Sequence, residues 1–215
     1  MLVQTPSQIF KADFASWEKG NQSIVNHMIG SDNNAGCLKK VTEVLLDENG
    51  SFELETQENS ILMILTLYGN IQLNHFQKVI SPEEVIILKS KEKSTVEIRN
   101  YLSSEKSDIL IIELYSLQSA SAIFIEELKI EKRNTLIPVS KELGLPNFIG
   151  LYEGRKEGVY SLYNPEKAIF GMVVNGAFEF QNRLLETRDS VLLRNIKTLE
   201  FEALSENALI IFFEI

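Results

Sequence analysis

The stretch Ser60-Ile61-Leu62-Met63-Ile64-Leu65-Thr66-Leu67-Tyr68 is nearly all apolar and ends at Gly69-Asn70, after which Ile71-Gln72-Leu73-Asn74 alternates apolar and polar. A run of this kind, bounded by turn residues, predicts a strand covered on both faces, although periodicity alone leaves a buried helix open. Gly-Asn supplies the positive-φ positions of a tight hairpin. The same grammar returns in the second half: Ile169-Phe170-Gly171-Met172-Val173-Val174-Asn175, then Gly176, then Ala177-Phe178-Glu179-Phe180.

The matching continues in order. Ser81-Pro82-Glu83-Glu84 leads into Val85-Ile86-Ile87-Leu88, and Thr187-Arg188-Asp189-Ser190 leads into Val191-Leu192-Leu193. The alternation over 95–98 is answered over 198–201, and the apolar run 108–114 is answered over 207–215. Four matched segments at a nearly constant offset predict an internal duplication. Upstream, residues 39–46 alternate, Asn49-Gly50 turns the chain, and Phe52-Glu53-Leu54-Glu55 leaves the turn with period two. Residues 21–36 read as polar, with a flexible loop over 30–36, and 158–163 open the second copy. Residues 124–130 read as a further strand or a crossing arm, and 139–143 as one helical turn closed by Gly144 and Pro146. Short strands about ten residues apart describe an all-β sandwich or barrel. The expected organisation is a unit over 1–116, a connector over 117–146 and a second unit over 147–215.

Composition narrows the partners. The chain has 215 residues, 44% apolar and 24% charged, with a net charge of −9 and no basic cluster. Neither a phosphate-tracking groove nor an anionic membrane surface suits that charge, so no nucleic acid and no membrane is expected as a partner. The apolar runs fall far short of the roughly 20 residues of a membrane helix. Cys37 is the single cysteine, so no intrachain disulfide forms. No charged-then-apolar leader is present at residues 1–7, and a cytoplasmic location is expected.

The order of strand, glycine hairpin at Gly69, turn Ser81-Pro82-Glu83-Glu84 and buried strand from Val85, with Gly176, Asp189 and Ile215 closing the second copy, resembles a cupin. Two such copies joined by an arm resemble the bicupins of the pirin and quercetinase-like family. The resemblance covers nearly the whole chain and rests on order and spacing. It implies two tandem cupin barrels (double-stranded β-helices, jelly-roll-like) joined by an extended connector. It also implies a metal in the first barrel, held by His-x-His on one strand, a Glu four residues on and eight before the hairpin glycine, and a His on a later strand.

Counting back from Gly69 places Ile61 at the Glu position, Gln57 at the second His and Glu55 at the first, while the last His falls near Val96 or Glu97. None matches. Isoleucine has no donor atom and an amide substitutes poorly for imidazole, and without the metal nothing polarises oxygen or a flavonol hydroxyl. The second copy contains no histidine. The expectation is a divergent member that uses no cofactor and binds a small molecule or a protein partner without catalysis. Its candidate pocket is Glu55, Gln57, Ile61 and Glu97. The alternative is a quercetin 2,3-dioxygenase-like, metal-dependent oxygenase with rearranged ligands drawn from Glu55, Gln57, His75 and Glu97.

Blander readings stand beside these. Glu55, Gln57 and Glu97 also fit the solvated faces of alternating strands. His27 has no nucleophile spaced to suggest a triad. Cys37, near Lys39 and Lys40, reads as a buried spectator or as a thiolate in a cationic setting. Phe170, Phe178, Phe180, Phe201, Phe212 and Phe213 read as the core of the second unit or as an aromatic ligand pocket. The glycine loops over 144–146 and 154–158 lack the strand-before, helix-after setting of a phosphate cradle and read as turns.

Overall fold

The computed structural model describes residues 6–30, 36–74, 76–117 and 120–215, and its regular elements are β-strands with two short 3-10 turns. Among the described residues no helix is long and apolar enough to cross a membrane. The chain divides into two compact units: Ala15–Lys129, here the contiguous unit, and Met1–Phe14 together with Ile130–Ile215, here the split unit.

Strand β1 (Ser7–Phe10) belongs to the split unit. The contiguous unit follows with β2 (Trp17–Lys19), β3 (Ser23–Ile29), β4 (Leu38–Leu46), β5 (Ser51–Thr56), β6 (Ser60–Tyr68), β7 (Ile71–Leu73), β8 (Val79–Ile80), β9 (Glu84–Ser90), β10 (Ser94–Asn100), β11 (Ser107–Tyr115) and β12 (Ala122–Glu127). The split unit resumes with β13 (Ile137–Pro138), β14 (Asn147–Tyr152), β15 (Glu157–Ser161), β16 (Ile169–Asn175), β17 (Ala177–Phe180), β18 (Leu184–Glu186), β19 (Ser190–Leu193), β20 (Thr198–Ala203) and β21 (Ala208–Glu214).

In the contiguous unit a seven-stranded sheet, β12-β9-β6-β11-β4-β3-β2, covers a four-stranded one, β5-β10-β7-β8. The core lies between them, where Val44, Leu62, Ile64 and Ile111 of the larger sheet meet Ile71, Val96 and Ile98 of the smaller. The split unit repeats the plan with sheets β1-β19-β16-β21-β14-β13 and β15-β20-β17-β18. The order β9-β6-β11-β4 thus reappears as β19-β16-β21-β14, and β5-β10-β7-β8 as β15-β20-β17-β18. Strand β6 is central, and Ile61 through Leu65 are all buried because both of its faces are covered. The hairpin glycines match in detail. Gly69 has φ +83 and Gly176 φ +82, and a Cβ on either would lie 2.3 Å from a serine Oγ, of Ser107 and Ser205 respectively.

The residues expected to form a connector do not stand apart. Strand β12 pairs with β9, Ile125 opposite Ile86, while β13 pairs with β14. In the split unit the place beside β19 is taken by β1, Gln8 opposite Leu192. The first residues therefore pack with the second copy rather than within a 1–116 unit. Asp189, 2% exposed, fixes this arm. It accepts from the Ala12 N–H at 2.8 Å and the Glu186 N–H at 2.9 Å, and pairs with the Lys11 ammonium. Residues 21–36 also differ from the polar reading. Strand β3 lies within them, with Ser23, Val25, Asn26 and Ile29 buried; residues 31–35 of the expected loop lie outside the described set.

Two outcomes follow for stability. Asp189→Ala leaves buried N–H donors unpaired and is expected to cost about 1–3 kcal/mol. Hydrogen exchange should rise in residues 7–10 and stay unchanged in 15–129. Gly171→Ala places a Cβ 2.5 Å from the Phe180 ring in the split core and is expected to cost about 1–3 kcal/mol by overpacking, read from urea unfolding.

Candidate functional site

A cavity of about 930 Å³ opens between the two sheets of the contiguous unit. Its wall follows from period two along neighbouring strands. Inward residues opposite one another form rows across the larger sheet. One row is His27, Thr42, Ile111, Ile64 and Ile86 on β3, β4, β11, β6 and β9. The next is Lys40, Glu113, Leu62 and Leu88 on β4, β11, β6 and β9. Both rows are apolar toward β9 and turn polar toward β4. Phe52 and Leu54 face them from the smaller sheet.

The register of the split unit explains why space exists here. Thr42, opposite Ile111, occupies the place that Phe148 holds opposite Phe212. Leu54, opposite Val96, occupies the place that Tyr160 holds opposite Leu199. In the split unit Phe148, Tyr160 and Phe212 pack as one group, with ring centroids 5.0–5.4 Å apart. Threonine, leucine and isoleucine stand in their stead in the contiguous unit, and the lost ring volume becomes the cavity.

Two irregularities shape the polar end. The pairing of β4 with β11 shifts between Glu113 and Leu114, leaving Lys39 without an opposite residue. That of β3 with β4 shifts between His27 and Ile29, leaving Met28 unopposed. A bulge places an extra residue off the alternation and re-aims side chains. By this means the consecutive residues Lys39 and Lys40, which a regular strand would send to opposite faces, both line the cavity. Lys39 Nζ lies 3.9 Å from Glu113 Oε1 and 5.2 Å from the centre of the Tyr115 ring.

Glu113 is 8% exposed, and its Oε1 is buried without a hydrogen-bond partner among the described residues. Burial holds its pKa above the usual glutamate range, against the opposing pull of Lys39 and Lys40. Desolvation, then Lys40, lowers the pKa of His27, which is neutral at pH 7; its Nδ1 lies 3.4 Å from Thr42 Oγ1. The counterpart of Glu113 is Glu214. Glu113 pairs with Leu62 on β6 as Glu214 pairs with Ile169 on β16. Glu214 is fully provided for, accepting from the Tyr160 hydroxyl at 2.7 Å, the Tyr163 N–H at 2.9 Å and the Asn164 N–H at 2.7 Å. Burial and this carboxylate raise the Tyr160 pKa, so the phenol stays the donor.

The four residues named from sequence do not converge. Glu55 and Gln57 lie along the cavity's exposed margin, Glu55 paired with Lys93 at 2.9 Å. Ile61 is buried on the face of β6 opposite Leu62. Glu97 accepts from Arg99 Nε at 3.0 Å and lines a separate cleft with Gln72 and Asn74. The inward residues of β5 and β10 are Phe52, Leu54, Val96 and Ile98, one position off the counted frame. A metal does not fit this wall: those side chains carry no donor atom, and no group of three or more His, Cys, Asp or Glu gathers among the described residues. His75 lies outside the described residues. Cys37 is half-buried and lines the cavity. The aromatic set is core: Phe178, Phe180, Phe201 and Phe212 fill the split unit, and Phe170 stacks on Phe213. Glu113, Lys39, Lys40 and Thr42 were missed as site residues. The signal was one carboxylate inside the apolar run of β11, a position that needs a partner when buried.

No family model and no curated protein matches the sequence. Solved structures do match its fold. YhhW from Escherichia coli has a TM-score of 0.84 at 12% identity over 98% of both chains. The same bacterial pirin, in complex with nickel(II), matches at 0.84 and 12% over 97% of this chain and 99% of that one. Quercetin 2,3-dioxygenase from Acinetobacter baumannii matches at 0.75 and 8% over 96% of this chain and 85% of that one. At these identities the likeness is one of fold: the all-β architecture is similar to that of the bacterial pirin YhhW and of a quercetin 2,3-dioxygenase.

Proposed function

We propose that the chain is a divergent, pirin-like bicupin, two cupin barrels in tandem, that binds a small organic molecule in the cavity of the contiguous unit without metal and without catalysis. The observation that carries this reading is the cavity itself. It falls within the 300–1,000 Å³ of small-molecule sites and combines apolar walls with a few convergent polar groups. The core supports the metal-free part, since the side chains that β5 and β10 turn into it, Phe52, Leu54, Val96 and Ile98, are hydrocarbon.

The test combines metal analysis of untagged protein with thermal shift against a metabolite library. Sub-stoichiometric metal, a melting temperature indifferent to chelator and at least one stabilising small molecule are expected. Stoichiometric nickel, iron or zinc, or oxygen consumption with a flavonol that chelator abolishes, overturns the proposal in favour of the oxygenase.

A binding carboxylate kept in a dry wall costs stability, which gives a second check. The folded pKa of Glu113 is raised above its ordinary 4.5. Its contribution is therefore full below the unfolded value and is lost as pH rises through the folded one. Glu113→Gln removes that loss. The variant is expected to melt about 2–4 °C above wild type at pH 7, and the difference should close toward pH 4 in paired melting curves. A variant less stable than wild type at pH 7 means that Glu113 is a structural group.

A further inference from the structure

The duplication makes the split unit an internal control for the cavity, and the inference drawn from it rests on reading that cavity as a binding site. At the same place in the two copies stand Glu214 and Glu113. Glu214 receives three donors, one of them the Tyr160 hydroxyl. Glu113 has Leu54 where Tyr160 would be, and its buried Oε1 receives no hydrogen bond among the described residues. A buried carboxylate oxygen left without a donor is costly, and here the donor's place is open cavity.

Beside Glu113 the wall carries the opposite demand. Lys40 is its cross-strand neighbour, with Cβ atoms about 4.5–5.5 Å apart in such pairs. Its charge acts on Glu113 together with that of Lys39. The bulge adds Lys39 on the same side. Two ammonium groups thus face one carboxylate, with His27 neutral. The carboxylates at the margin are exposed, so water and salt screen them.

We infer that the cavity takes a small organic acid with an apolar body and a hydroxyl or amino group next to its carboxylate. The ligand carboxylate is held by Lys40 and Lys39, the adjacent O–H or N–H donates to Glu113, and the body lies against Phe52, Leu54 and Leu62. A simple amine would meet two like charges, and a simple hydrocarbon would leave Glu113 Oε1 without a hydrogen-bond donor.

Isothermal titration at physiological salt tests this with 3-phenyllactate, against 3-phenylpropionate, which lacks the hydroxyl, 3-phenyllactamide, which lacks the charge, and phenethylamine. 3-Phenyllactate is expected to bind, with each comparator weaker by about tenfold or more. Lys40→Met should erase the preference for acid over amide, and Glu113→Leu the preference for hydroxy acid over the deoxy compound. Leu54→Tyr rebuilds the arrangement of the split unit; it should raise the melting temperature, confirming a folded variant, and abolish binding. Equal or tighter binding of amide or amine overturns the head-group assignment and leaves the cavity reading standing. No binding of 3-phenyllactate overturns the ligand class. If stabilising molecules from the thermal-shift library act unchanged on folded Leu54→Tyr, the cavity reading fails as well.

Discussion

Everything in the contiguous unit depends on how rows of inward side chains fill the space between two sheets. Opposed residues on adjacent strands share a face, so each row crosses the sheet as one layer of the interior, and a dense interior requires the layers to sum to the available volume. In the split unit the layer through β14, β21 and β15 contains Phe148, Phe212 and Tyr160 and closes solid. In the contiguous unit the same layer contains Thr42, Ile111 and Leu54. One backbone plan therefore yields a filled sandwich and a hollow one, and the difference lies in side-chain volume at three positions.

That layer also decides the fate of a shared carboxylate. The two copies place a glutamate on the corresponding strand after apolar residues at the same two positions, Glu113 following Ile109 and Ile111, Glu214 following Ile210 and Phe212. Where the tyrosine is present the carboxylate is paired and structural. Where leucine replaces it, one change both opens volume and removes a donor. The bulges in β3 and β4 lie at the same end of the sheet, which is where departures from regular pairing cost least and serve to re-aim side chains.

Much of the fold was legible in the sequence because strands buried on both faces cannot hide. The run through Leu62 and its echo through Met172 gave β6 and β16, and the glycines at 69 and 176 fixed their hairpins by positive φ. The order of the matched segments anticipated the shared strand order. What failed was what depends on pairing at a distance. Strand β3 is polar enough to read as loop, and it is a strand because β4 offers it a ladder. Strand β1 joins β19 through long-range pairing and Asp189, which no local pattern announces. Of the four residues counted for the site, Glu55 and Gln57 line the cavity's margin while Ile61 and Glu97 do not, because side chains alternate with period two. A frame counted from Gly69 landed on Glu55 and Ile61, whereas the inward residues of those strands are Leu54 and Leu62. One residue of displacement turns a side chain to the other face of its strand.

The hydrocarbon side of the interior and its polar corner belong to different strand groups. Strands β5, β6 and β10 present Phe52, Leu54, Leu62, Val96 and Ile98 to the interior. Hydrocarbon on that side lowers the local dielectric for whatever charge remains on the other, which strengthens each interaction made by Glu113, Lys39 and Lys40 and raises the cost of leaving any of them unpaired. A molecule that presents hydrocarbon to β5 and β6, and both an acceptor and a donor to β4 and β11, matches that division of the wall.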